Sequence, residues 1–158
     1  MGPLTPEVVQ STYWTYNSWS YPASSVLILG EEDTQLSNGE FNYWLADREK
    51  TTGEGFTMKV NNCPRVVAGF QIKNKGQGLD TGIATKDFRV SGSLNEDGPW
   101  ETLLEEQLSD TKDKGSPPAP LLTFTFEEPV KVQFLKFDLI SYWGPYGGGL
   151  QYFAPIPA

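Results

Sequence analysis

The sequence predicts an all-β domain of about eight strands, a β-sandwich or jelly roll. Three observations carry this. The chain is rich in aromatic residues, glycine and proline, with nine Phe, seven Tyr, five Trp, 16 Gly and 12 Pro in 158 residues. That composition suits pleated, turn-broken structure. Apolar residues recur with period two in several segments. Turn-forming residues separate those segments at short intervals.

Taken in order, the strand signals are these. Residues 26–29, 41–45 and 55–60 are short apolar candidates. In the next segment Val66, Ala68, Phe70 and Ile72 share one face, with Gln71 and Lys73 on the other. Phe88 and Val90 point inward from a segment whose Asp87, Arg89 and Ser91 point outward. Residues 100–104 are a further short candidate. Residues 102–109 (TLLEEQLS) are the one stretch with a helical look. Residues 122–126 alternate again. Residues 132–140 (VQFLKFDLI) are apolar on both faces for part of their length, which predicts a central, doubly covered strand.

Composition excludes several chemistries. With no histidine there is no Ser-His-Asp triad, Cys-His dyad or HExxH zinc site. A single cysteine makes no intrachain disulfide and no Cys-rich zinc site. Cys63 follows Asn61-Asn62 and precedes Pro64, so it belongs to a turn and reads as incidental. A net charge of −8 opposes nucleic acid, whose affinity comes mainly from Lys and Arg. It is compatible with divalent cations, basic surfaces or neutral ligands. No segment reaches the ~18 consecutive apolar residues of a membrane span. Residues 1–4 lack the basic start and apolar run of a secretory leader. Both a cytoplasmic protein and a mature or excised extracellular domain therefore stay open. The length suits one domain. The linker-like stretch at 109–120 reads as a long loop, because the ~38 residues after it are too few to fold alone.

The ordered motifs resemble a known family. The run 82–93 (GIATKDFRVSGS), followed by Gly98-Pro99-Trp100 and Leu103, resembles the middle of a discoidin, or coagulation factor 5/8 type C, domain. Ser11-Thr12-Tyr13 with Tyr21-Pro22-Ala23-Ser24 resembles its opening segment. Trp44-Leu45-Ala46 resembles its first-strand tryptophan motif, and residues 67–74 the next strand. Residues 133–137, with 141–144 and 148–151, resemble the last strands and closing turn. The resemblance spans 8–153, leaving 1–7 and 154–158 as tails. It implies a discoidin-type jelly roll with the galactose-binding-like fold and ligand-binding loops at one end. It also implies a non-catalytic role and an extracellular or cell-surface setting. The chain departs from the family in having no cysteine pair to tie its termini. It also has no histidine for the fucose-binding branch. It reads Leu29-Gly30-Glu31-Glu32-Asp33-Thr34 where many members carry Leu-Asp-Gly-Asp before the tryptophan.

Four candidate sites follow. Residues 13–21 hold Tyr13, Trp14, Tyr16, Trp19 and Tyr21 with no aliphatic residue. Exposed rings of this kind stack on sugars or enter membrane interfaces, whereas buried ones close an end of the barrel. Residues 142–149 combine Tyr142, Trp143 and Tyr146 with four glycines, either a sugar platform or a tight closing turn. Glu31, Asp33 and Thr34, beside Glu32 and with Glu40, offer hard oxygen ligands for Ca²⁺, or a solvated acidic turn. Residues 74–82 have GxGxxxG spacing without the ending of a phosphate loop, and read as a loop lending Lys75, Asp80 or Lys86 to a ligand.

The functional expectation is carbohydrate recognition by Trp14, Tyr16, Asn17, Trp19, Tyr142, Trp143 and Tyr146, with Asn17, Asn74 and Gln151 orienting the ligand. The partner is then a glycan or other cell-surface ligand. Alternatives are peripheral membrane binding, which the negative charge disfavours on anionic lipid, and a protein-interaction or adhesion module. An enzyme is not expected, as no catalytic motif survives the missing histidines, although chemistry by Asp and Glu alone stays open. No N-x-[ST] acceptor occurs.

Overall fold

Period-two segments pair across the chain to form two facing antiparallel sheets. The computed structural model describes residues 2–13, 15–16, 19–27, 29, 40–46, 54–75, 82–111 and 119–158, with backbone alone at 15–16 and 19–20. In chain order the strands are β1 (Glu7–Ser11), β2 (Thr15–Tyr16), β3 (Trp19–Ser20), β4 (Trp44–Leu45), β5 (Gly55–Lys59), β6 (Arg65–Asn74), β7 (Ala84–Thr85), β8 (Asp87–Ser93), β9 (Glu101–Gln107), β10 (Leu121–Val132), β11 (Phe134–Leu139), β12 (Tyr142–Trp143) and β13 (Gly149–Pro157). One sheet has the order β1-β5-β11-β8-β9 and the other β10-β6-β13-β4. Two short ladders, β2-β3 and β7-β12, complete the fold. Setting the two-residue pieces aside, eight strands remain among the described residues, the number that the composition and spacing predict.

The sheets bury one face each against the other. Inward residues include Phe56 and Met58 of β5, Phe70 and Ile72 of β6, Phe88 and Val90 of β8, Leu135 and Phe137 of β11, and Phe153 of β13. The core is largely aromatic. Phe56 and Phe137 meet edge to face at 5.1 Å, Phe88 stacks on Phe137 at 5.5 Å, and Phe70 on Phe153 at 5.0 Å. Trp44 lies fully buried among them, and its indole N–H donates to the Thr12 carbonyl at 2.6 Å. Much of the aromatic excess is therefore ordinary core.

Four expectations are corrected here. Residues 102–109 are not helical: β9 covers most of them and pairs with β8 from Gly92↔Glu101 to Asp87↔Gln107. Pairing with an already formed neighbour overrides the helix preference of Leu, Glu and Gln. Val26 and Leu27 do not begin a strand; the chain makes a 3₁₀ helix at Ala23–Leu27, with Val26 buried. Residues 132–140 are two strands of different sheets joined at Gln133. Its N–H donates to the Ser93 carbonyl and its carbonyl accepts from the Val60 N–H. β11 is central in its sheet, but Lys136 and Asp138 face outward. Finally, the ends are not tails. β13 continues to Pro157, with Ala154 opposite Gln71 and Ile156 opposite Gly69. At the other end the Arg65 guanidinium donates to the Gly2 carbonyl at 2.7 Å, and Leu4 packs on the core.

Candidate functional site: the aromatic loop end

Antiparallel pairing decides which loops meet. Thr12 N–H donates to the Gly55 carbonyl, Ala46 N–H to the Gly148 carbonyl and Leu45 N–H to the Tyr21 carbonyl. Tyr142 stands opposite Thr85, and Leu139 opposite Phe88. The segments after β1, β4, β6, β9 and β11 thus gather at one end of the sandwich. The turns at 60–64 and 94–100 lie at the other. The two aromatic loops singled out in the sequence share this first end.

A second small core underlies it. Tyr21, Phe41, Tyr43, Leu45 and Ile83 are buried together. Tyr21 is 1% exposed and stacks on Phe41 at 4.4 Å with only 10° between the rings. Within the run 13–21, the barrel-closing reading therefore holds for Tyr21. Tyr13, at the other end of the run, is 45% exposed. Trp14 and Asn17 lie outside the described residues, and only the backbone of Tyr16 and Trp19 is described, in the β2-β3 ladder. Lys75 is buried with its ammonium 4.9 Å from the Tyr43 ring centroid, so it supports this core instead of reaching a ligand.

Asn74 is likewise a support. It is 3% exposed. Its side-chain N–H donates to the Thr85 carbonyl at 2.9 Å, and its oxygen accepts from the backbone N–H groups of Lys75 and Thr85. Thr85 in turn donates through Oγ1 to the Gly149 carbonyl at 2.8 Å. This corrects the expectation that Asn74 orients a ligand: its amide stands in for a strand partner and holds Thr85 of β7, which in turn is fastened to β13. Gln151 is also buried, with its side-chain N–H directed to the Asn42 carbonyl at 3.4 Å.

The closing loop presents the exposed rings. Ser141 is fixed first: its hydroxyl donates to the Asp87 carboxylate at 2.6 Å, and its carbonyl accepts from the Lys86 N–H. Trp143 is held from two sides. Its indole N–H donates to the Leu108 carbonyl at 3.0 Å, and the Lys86 ammonium lies 4.7 Å from its ring centroid. That half-buried ring is a brace. Tyr142 and Tyr146 are 38% and 53% exposed. Tyr146 rests on Gly82, whose φ of +83° suits glycine and whose missing side chain leaves room for the ring; a Cβ there would lie 2.7 Å from Tyr146 Cδ2. Tyr13, Tyr142 and Tyr146 offer flat apolar surface edged by hydroxyls at one end of a rigid sandwich. Tyr13 was legible as part of an aromatic run; nothing in the local sequence separated it from the buried Tyr21.

Glu31, Asp33 and Thr34 lie outside the described residues, as do Glu32 and Asp80. Among the described residues no group of three or more acidic or sulfur-bearing side chains could hold a metal ion.

No protein-family model matches the chain, and no curated protein matches it in sequence. Solved structures do match in fold. The family 32 carbohydrate-binding module of EndoD from Streptococcus pneumoniae superposes with a TM-score of 0.62 at 16% identity, covering 97% of this chain and 96% of that one. The family 32 module of NanJ from C. perfringens, solved with galactose, gives 0.63 at 14% identity over 96% and 92%. Allantoicase from Saccharomyces cerevisiae gives 0.63 at 11% identity, over 95% of this chain and 39% of the enzyme. The chain accordingly has the galactose-binding-like β-sandwich fold that family 32 carbohydrate-binding modules share with discoidin domains.

Proposed function

We propose that this domain is a non-catalytic carbohydrate-binding module whose glycan stacks on the aromatic loop end. The observation that carries the reading is the exposed pair Tyr142 and Tyr146 on a loop braced from beneath by Trp143, Lys86 and Ser141. Rings with one face in water and a fixed base lose little freedom on binding, so stacking on the apolar face of a sugar is not offset by ordering. Tyr13 is exposed at the same end of the sandwich, and Trp14, Tyr16, Asn17 and Trp19 follow it in sequence. Among the structural neighbours, one family 32 module is solved with galactose and another, from Clostridium perfringens, with GalNAc-β-1,3-galactose. These support a glycan as the partner class.

A glycan array including galactose- and N-acetylgalactosamine-terminated sugars tests the reading. Binding to a subset of glycans, lost in Tyr146→Ala, supports it. No binding, or binding unchanged in both Tyr146→Ala and Trp19→Ala, overturns it. The same exposed rings would suit a lipid interface, and flotation with neutral and phosphatidylserine vesicles separates that outcome.

A further inference from the structure

The outer face of the five-stranded sheet carries a groove that the loop end does not account for. It has a volume of about 270 Å³ and runs between Gln10, Ser11 and Thr12 on one side and Lys136 and Asp138 on the other, with Gly55 and Thr57 along its floor. The volume is close to the lower end of the range for small-molecule sites, about 300–1,000 Å³.

Strand alternation builds this groove. Leu135 and Phe137 fill the core, so Lys136 and Asp138 must face outward. In register, Asp138 stands between Gly55 on β5 and Arg89 on β8. Gly55 has no side chain to cover the carboxylate, and none can be added, since a Cβ would lie 2.0 Å from the Phe137 carbonyl oxygen. On the far side the Gln10 side-chain N–H donates to Glu96 at 2.7 Å, drawing the 94–97 turn to the sheet edge. The Lys136 ammonium lies 5.6 Å from the Trp100 ring.

The charged groups are close but not closed on one another. Arg89 lies 3.6 Å from Asp138 and 3.8 Å from Glu105, and Lys136 lies 3.8 Å from Asp138. These separations give attraction without a formed hydrogen bond, leaving donors and acceptors to a ligand. In the lining itself one cation, Lys136, offsets one anion, Asp138, so the groove selects neither a cation nor an anion. Mixed donors and acceptors, with Thr and Gln between them, match hydroxyl groups, which both donate and accept.

We propose that this groove is a second saccharide site, separate from the loop end, and that it takes internal rings of a neutral linear polysaccharide. The groove lies open along a sheet face, so a chain can lie in it without presenting its terminus. The test is affinity electrophoresis of the intact chain in gels containing soluble xylan, mixed-linkage β-glucan or galactan. Retardation by at least one polymer is expected, and it persists in Tyr146→Ala and in excess free galactose. Asp138→Ala and Lys136→Ala weaken it about tenfold or more, the loss expected for one or two hydrogen bonds to a charged group. Gln10→Trp, at an exposed position opposite Thr57 on the outward face, fills the groove without replacing the charged row and abolishes retardation while melting like the parent. The proposal is overturned if no polymer retards the parent, or if folded Asp138→Ala and Gln10→Trp run as the parent does. It is also overturned if Tyr146→Ala alone removes the retardation, which assigns binding to the loop end. A glycan array without hits, beside retardation that survives Tyr146→Ala, removes the loop-end reading and keeps this one.

Discussion

Tyr146 and Trp143 sit three residues apart and do different work. Tyr146 leaves half its surface in water above Gly82, so Tyr146→Ala is expected to weaken glycan binding about tenfold or more at nearly unchanged stability, checked by calorimetric titration beside a melting curve. Trp143 spends its N–H on Leu108 and its face on Lys86, so Trp143→Ala should cost about 1–3 kcal/mol of folding stability in urea. Asn74 gives the sharper contrast. Sequence places it in a glycine-rich loop beside a lysine, the setting of a ligand contact. Its burial and its bonds to Lys75 and Thr85 make it structural, and Asn74→Ala strands buried backbone groups at a cost of about 2–4 kcal/mol. A drop in glycan binding without a loss of stability in that variant would contradict this assignment.

Strands were legible wherever one face is apolar and the other polar, as in β6, β8 and β10. They were misread where the pattern is weak. β9 carries Glu101, Glu105, Glu106 and Gln107 at exposed positions, and its strand character comes from the β8 edge it pairs with. The family resemblance ends at 153 and so leaves the C-terminal residues as a tail, and Pro155 and Pro157 are poor strand formers that add no strand signal. Proline is tolerated there because it lacks only a donor, and among the described residues β4 pairs with β13 at Gly149 and Leu150 and no strand pairs with that side at Pro155 or Pro157. Deleting residues 154–158 removes the pairing with Gln71, Phe70, Gly69 and Val67 and the buried Pro155. The deletion should lower stability by about 3 kcal/mol or more, seen as an earlier urea midpoint. A midpoint unchanged by the deletion would restore the tail reading.

At the scale of the molecule, composition sets two further expectations. With no histidine, no side chain has an ordinary pKa between pH 6 and 8. Glycan affinity should therefore be flat over that interval, measured by titration at both ends. A calcium ion held by Glu31, Asp33 and Thr34 would bind only the folded chain and raise its melting temperature. Adding calcium to EDTA-treated protein should then shift the transition upward in the parent and not in Asp33→Ala. No shift in the parent would remove the metal from this account.

The sequence by itself determined the fold class, because alternation dictates which residues are buried and an aromatic, glycine- and proline-rich composition suits short, turn-broken strands. It also identified the two aromatic loops. Only the tertiary structure decided which rings face water. Tyr13 and Tyr21 are the same residue type in the same run, yet one meets solvent and the other stacks on Phe41, a partner twenty residues away. Local pattern fixes the direction of a side chain relative to its own strand. Exposure depends on what the rest of the chain brings to that place.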